Sequence, residues 1–119
     1  MSDEVGQQIR ERTIEFLELL ADAAAQRKYQ AAAPDVNIGN EIFNQWDDWY
    51  PLDKSTQQEF SAQELLALQQ FDSELGLAAS QSPPTIGDLD DFMRTEPWMR
   101  LNRAAQRTLA AFAEANRAT

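Results

Sequence analysis

Proline occurs at only five positions, 34, 51, 83, 84 and 97. Each marks a place where a helix cannot run on, because the ring removes a backbone donor and drives the preceding residue away from helical conformation. The segments between them show apolar residues at steps of three and four, the helical period. Val5, Ile9, Phe16, Leu17, Leu20 and Ala24 form such a stripe, and the alanine-rich run that follows consists of strong helix formers. One helix is therefore predicted over residues 3–33, about 45 Å long at 1.5 Å per residue, ended by Pro34.

The second segment repeats the pattern. Ile38, Ile42, Trp46 and Trp49 fall on one face, flanked by Phe43 and Tyr50, with Asp35 or Asn37 available as N-cap. A helix over 37–50 follows, closed by Pro51. Residues 52–60 read as a polar connector. Ser61 with Glu64 makes a capping box. It opens a third helix through Leu65, Leu68, Phe71 and Leu75, which Gly76 is expected to close. The Pro83–Pro84 pair stiffens a loop, and Thr85 with Asp88 resembles a second capping box before Leu89, Phe92 and Met93. Thr95 is placed to cap a last helix, with Pro97 tolerated in its first turn and Trp98, Leu101, Ala105, Leu109 and Phe112 as its stripe. No segment alternates with period two. Four glycines and five prolines are too few turn formers for a many-stranded sandwich or barrel. The expectation is an all-α fold: residues 1–119 as a single helical domain, a compact bundle of four to five helices with a long N-terminal helix.

Chemistry is restricted by what the chain lacks. It has no cysteine and no histidine. Disulfides, thiolate metal sites, the commonest general base and the usual activator of a nucleophilic serine are thereby removed. The acidic stretch 88–99 begins like a calcium loop, but Met93 stands where the turn needs glycine and Met99 where a bidentate glutamate is required. Phosphate-cradling glycine motifs are missing. The chain is expected to need no cofactor and no metal and to be no enzyme. Its polar N-terminus has no apolar signal core, and no run of about 18 apolar residues exists, so the expected location is the cytoplasm.

Charge points toward partners. The net charge is −10, which repels nucleic acid and anionic lipid. Its distribution is uneven: residues 35–96 carry thirteen acids against Lys54 and Arg94, whereas residues 97–119 carry four arginines against Glu114. Asp47 and Asp48 lie between the two tryptophans and should face outward. They also sit at a helix C-terminus, where each carboxylate costs about 0.3–1 kcal/mol. Acids held at an unfavourable position suggest a basic partner, with Tyr50 as an aromatic anchor. The candidate partner-binding set is Asp47, Asp48, Tyr50, Asp53, Asp88, Asp90 and Asp91. The stripe leaves open whether Trp46 and Trp49 belong to the core or to an interface. The function expected is that of an inhibitor covering the basic surface of a toxin or nucleic-acid enzyme, as bacterial immunity proteins do. The alternative is a helical adaptor or homo-oligomeric structural protein, a homodimer in the simplest case.

Overall fold

A computed structural model of the chain describes residues 3–50, 52–82 and 89–117. Among these residues the only regular elements are seven helices: α1 (Asp3–Ala21), α2 (Ala23–Ala32), α3 (Ile38–Trp49), α4 (Lys54–Gln57), α5 (Ala62–Gln81), α6 (Leu89–Met93) and α7 (Glu96–Arg117). The all-helical expectation holds, but the count of four to five is too low. Two features account for the difference. Residues 54–57 form a helical turn inside the expected connector, and the predicted helix over 3–33 is broken at Asp22.

The break at Asp22 has a local and a distant cause. Asp22 adopts extended backbone and caps α2, its Oδ1 accepting from the backbone N–H groups of Ala24 (2.9 Å) and Ala25 (3.3 Å). The last carbonyls of a helix have no partner within it. Here they are covered by side chains. Gln26, fully buried, donates through Nε2 to the carbonyls of Leu19 (3.1 Å) and Leu20 (3.3 Å). From α7, Asn102 donates to Leu20 O (2.8 Å) and Gln106 to Ala21 O (3.3 Å). The remaining atom of the Gln26 amide, Oε1, accepts from Trp98 Nε1 at 3.0 Å. The corner is thus a closed polar network in which each buried group finds a partner, the condition for such a network to stabilise rather than cost.

The other boundaries follow local chemistry. Asn37 caps α3 through Asn40 N–H. The Ser61–Glu64 capping box is formed in both directions, and Thr95 Oγ1 accepts from Trp98 N–H at the start of α7. Gly76 does not close its helix. α5 runs five residues beyond it to Gln81, because Ala78, wholly buried, continues the core stripe. The Thr85–Asp88 sequence lies outside the described residues.

α7 packs against both α5 and α1, α4 against α1, and α6 touches α2, α3 and α7. One continuous core runs through these contacts, including Leu17, Leu20, Ile42, Leu68, Phe71, Leu101 and Phe112. Fully burying side chains of this size stabilises by about 1.5–3 kcal/mol each. Trp46 is 1% exposed, which settles its place in the core. It stacks on Phe16 (centroids 5.6 Å) and on Tyr50 (4.8 Å) and meets Phe71 edge-on (4.9 Å), while its Nε1 donates to Asp72 Oδ1 at 2.8 Å. The side chain of Trp49 lies outside the described residues.

At the edge of the core is a partly buried ion pair. Arg10 of α1 donates from both terminal nitrogens to Glu64 (2.8 and 2.9 Å) and from Nη1 to Glu59 O (3.0 Å). Its guanidinium lies over the rings of Phe60 and Phe112 at 5.3 and 5.6 Å, within cation–π range. Gly6, one turn earlier, lets the residues before α5 come close: a Cβ there would stand 2.7 Å from Glu59 Cγ. Burial alone would raise the Glu64 carboxyl, but Arg10 and the Ser61 N–H hold it below the ordinary glutamate value. The same contact raises Arg10.

Candidate functional site

Residues of α1, α2 and α3 line an open trough of about 590 Å³. α1 contributes Arg12, Glu15, Phe16 and Leu19, one helical face by spacing; α3 contributes Glu41, Gln45 and Asp48, again one face; α2 contributes Tyr29. The floor is apolar, since Phe16 is a core residue and Leu19 is half-buried. Tyr29 stands at the rim, 38% exposed. Three carboxylates and one guanidinium surround this floor. Among the described residues, Glu15, Glu41 and Asp48 form no ion pair, and Arg12 pairs with none of them. Among the described residues the only hydrogen bond to these acids is a long one, Gln45 Nε2 to Glu41 Oε1 at 3.5 Å.

A second hollow, about 660 Å³, separates α2 from the start of α6 and includes Arg27, Asp35, Leu89 and Asp90. Arg27 and Asp90 stand 3.5 Å apart across it, both more than half exposed. Such surface pairs contribute about 0–1 kcal/mol and leave both charges open to competition.

The structure divides the residues singled out from the sequence. Asp47 and Asp48 are exposed, as their positions between the tryptophans predict, and Asp48 enters the α1–α3 trough. Asp90 belongs to the α2–α6 hollow. Asp91 faces Arg94, one turn along, at 3.8 Å. Tyr50 is half-buried against Trp46, and burial followed by the nearby Asp72 pushes its hydroxyl above the ordinary tyrosine value. Asp53 has a structural task. It caps α4, accepting from Thr56 N–H (2.8 Å) and the Ser55 hydroxyl (2.9 Å), and the bond from Thr56 lowers its carboxyl below the usual range. Asp88 lies outside the described residues.

Sequence reasoning missed Glu15, Glu41, Leu19 and Tyr29. Glu15 and Glu41 are ordinary helix-surface acids until tertiary packing sets them on opposite walls of one trough. Among the described residues no group of three acids converges closely enough to hold a metal ion. The trough acids surround the floor rather than meeting at a point. What the arrangement can do is accept hydrogen bonds from a guanidinium or ammonium group whose aliphatic stem lies on Leu19 and Tyr29. No helix among the described residues is long and apolar enough to cross a membrane. No protein-family model, no curated protein and no solved structure matches the chain.

Proposed function

We propose that this protein is a non-enzymatic binding module that captures a basic protein partner, with the α1–α3 trough at the centre of the contact and Asp47, Asp90 and Asp91 at its margin. The observation that carries this reading is the set of three unpaired carboxylates around an apolar floor in a chain of net charge −10. Glu41 also suits the first turn of α3, where a carboxylate favours the helix dipole, but Glu15 and Asp48 make no ion pair within the fold. In an interface such an acid steers a cationic partner and fixes its register. An exposed aromatic beside a hydrophobic floor supplies the anchor that charge alone does not. The reading extends to an inhibitor that covers the basic surface of a toxin or nucleic-acid enzyme, the scheme by which immunity proteins reach extreme affinities.

The test is affinity capture from native lysate at about 50 mM salt, followed by quantitative binding of the captured protein. A partner of high isoelectric point is expected, with affinity falling at least tenfold toward about 500 mM salt. Changing Glu15→Gln, Glu41→Gln and Asp48→Asn together should weaken binding at least tenfold while leaving the melting temperature within a few degrees. Affinity unmoved by salt, by this triple change and by neutralisation of Asp47, Asp90 and Asp91 overturns the reading.

A further inference from the structure

The exposed surface of α5 differs from the rest of the molecule. Every exposed position along this 20-residue helix holds an uncharged residue. Its three carboxylates all have partners within the fold: Glu64 binds Arg10, Asp72 accepts from Trp46, and Glu74, partly exposed, lies 3.9 Å from Arg100 of α7. In contrast, the exposed positions of α1 include Glu11, Arg12, Glu15 and Glu18, and those of α7 include Glu96, Arg103, Arg107 and Glu114. Two leucines stand out on the neutral face, Leu66 at 56% and Leu77 at 45% exposure.

The face is also ordered. Gln63, Leu66, Gln70, Ser73, Leu77 and Ser80 follow steps of three, four, three, four and three, the seam spacing of paired helices. The same series is symmetric about the middle of the helix. A two-fold axis through that midpoint sets Leu66 against Leu77 of a second copy, Gln70 against its Ser73, and Gln63 against its Ser80. This is the self-complementarity that an isologous dimer requires.

We infer that the α5 face is a self-association surface, on which a second copy of this chain packs antiparallel. Charge selects this occupant. Two molecules each of net −10 repel wherever their acids meet, and the exposed positions of α5 carry none, its half-buried Asp72 and Glu74 being engaged with Trp46 and Arg100. A basic partner would find nothing there to bind. Area sets the strength. A helix face about 30 Å long and about 10 Å wide gives roughly 300 Å² per copy, well short of the roughly 800 Å² of a stable complex. The dimer is therefore weak, with a dissociation constant of the order of 0.1–1 mM.

Sedimentation equilibrium from about 10 μM to 1 mM tests the strength and its salt dependence. Because added salt screens the repulsion between copies, association should tighten several-fold between about 20 and 500 mM salt, the opposite sign to capture of a basic partner. Leu66→Glu and Leu77→Glu, each at a position already solvent-exposed, should each weaken it at least tenfold with unchanged thermal stability. Orientation comes from a spin label. The chain lacks cysteine, so Gln63→Cys gives a single attachment site, and mixing with unlabelled ¹⁵N protein should broaden amides around Ser80. A monomer at 1 mM and 500 mM salt, association indifferent to both leucine changes, or broadening centred on residue 63 or away from α5 overturns the inference. None of these results bears on capture of a basic partner, which uses other helices.

Discussion

Replacing Glu64 by alanine should be among the most damaging single changes available to this fold. The side chain is 3% exposed and serves two neighbours at once: it accepts both nitrogens of Arg10 and the N–H of Ser61. Its loss leaves a guanidinium between Phe60 and Phe112 with only the Glu59 carbonyl as acceptor. Breaking a buried pair by removing one partner costs about 3–5 kcal/mol. Arg10 keeps 22% exposure and one hydrogen bond, so the low end, about 3 kcal/mol, applies. The lost half of the capping box adds roughly 0.5–1 kcal/mol. A total of about 3.5–4 kcal/mol lowers the urea midpoint by roughly 1.8–2 M for a slope near 2 kcal/mol/M. Tryptophan fluorescence reads the transition, since Trp46 is in the core. The pair itself is isolated by a cycle of Arg10→Met, Glu64→Gln and the double change, which keeps shape while removing charge. The double variant should be far less damaged than the single changes sum to, with a coupling of about 2 kcal/mol. A Glu64→Ala variant that loses less than about 1 kcal/mol, or a coupling below about 0.5 kcal/mol, would show that the contact is held by its surroundings and contributes little.

The pH dependence follows from the same carboxyl. Because its folded value is depressed, the stability it adds is complete above the unfolded glutamate value near 4.3 and is lost as pH falls through the lower folded value; the difference in urea midpoint between the native chain and Glu64→Gln should be flat from about pH 8 to 5 and close toward pH 3. Gln26→Leu should cost about 1–3 kcal/mol by stranding Trp98 Nε1, while the Leu19 carbonyl keeps the bond from Asp22 N–H, and it should shift the tryptophan emission; a loss under about 0.5 kcal/mol counts against the corner network. Gly76→Ala should raise stability by about 0.5–1 kcal/mol, since the position is helical and a Cβ there meets no atom within 4 Å, and a lower melting temperature contradicts that. Neutralising Asp47 and Asp48 together should leave the melting temperature unchanged or slightly higher, because both are exposed at a helix C-terminus.

The features legible in the sequence are those that depend on neighbours a few residues away. Asn37, the Ser61–Glu64 box and Thr95 each act within three residues, and the stripes through Ile42, Trp46, Leu68, Phe71 and Leu101 predict core positions that are indeed buried. Asp22 shows where this fails. In an alanine-rich helix it reads as one more surface acid. What makes it a break is Gln26 turning back on Leu19 and Leu20 and two amides arriving from α7, more than 80 residues along. Gly76 fails the other way, read as a stop although Ala78 beyond it has a core site to fill. For the candidate site, the outward direction of Asp47 and Asp48 was readable from helical phase. The pairing of Glu15 with Glu41 across a trough was not, because no local pattern records which helices become neighbours. Asp53 shares its residue type with those acids, and only the N–H groups of the next turn distinguish its capping task.

The placement of α7 has a consequence for how the chain is made. This helix supplies the amides that finish α1 and packs along both α1 and α5, yet it follows both of them in the chain and is synthesised after them. At about 5–20 residues per second, the ribosome releases α1 and α5 several seconds before their common neighbour exists. During that interval Leu17, Leu68 and Phe71 lack the cover of α7, and the carbonyls at the α1 corner have only Gln26 and the Asp22 N–H. Until α7 emerges, the apolar surface it covers on α1 and α5 stays exposed, the condition in which incomplete chains aggregate or need chaperones. A ribosome stalled before residue 96 would present that state indefinitely, whereas emergence of α7 allows it to close.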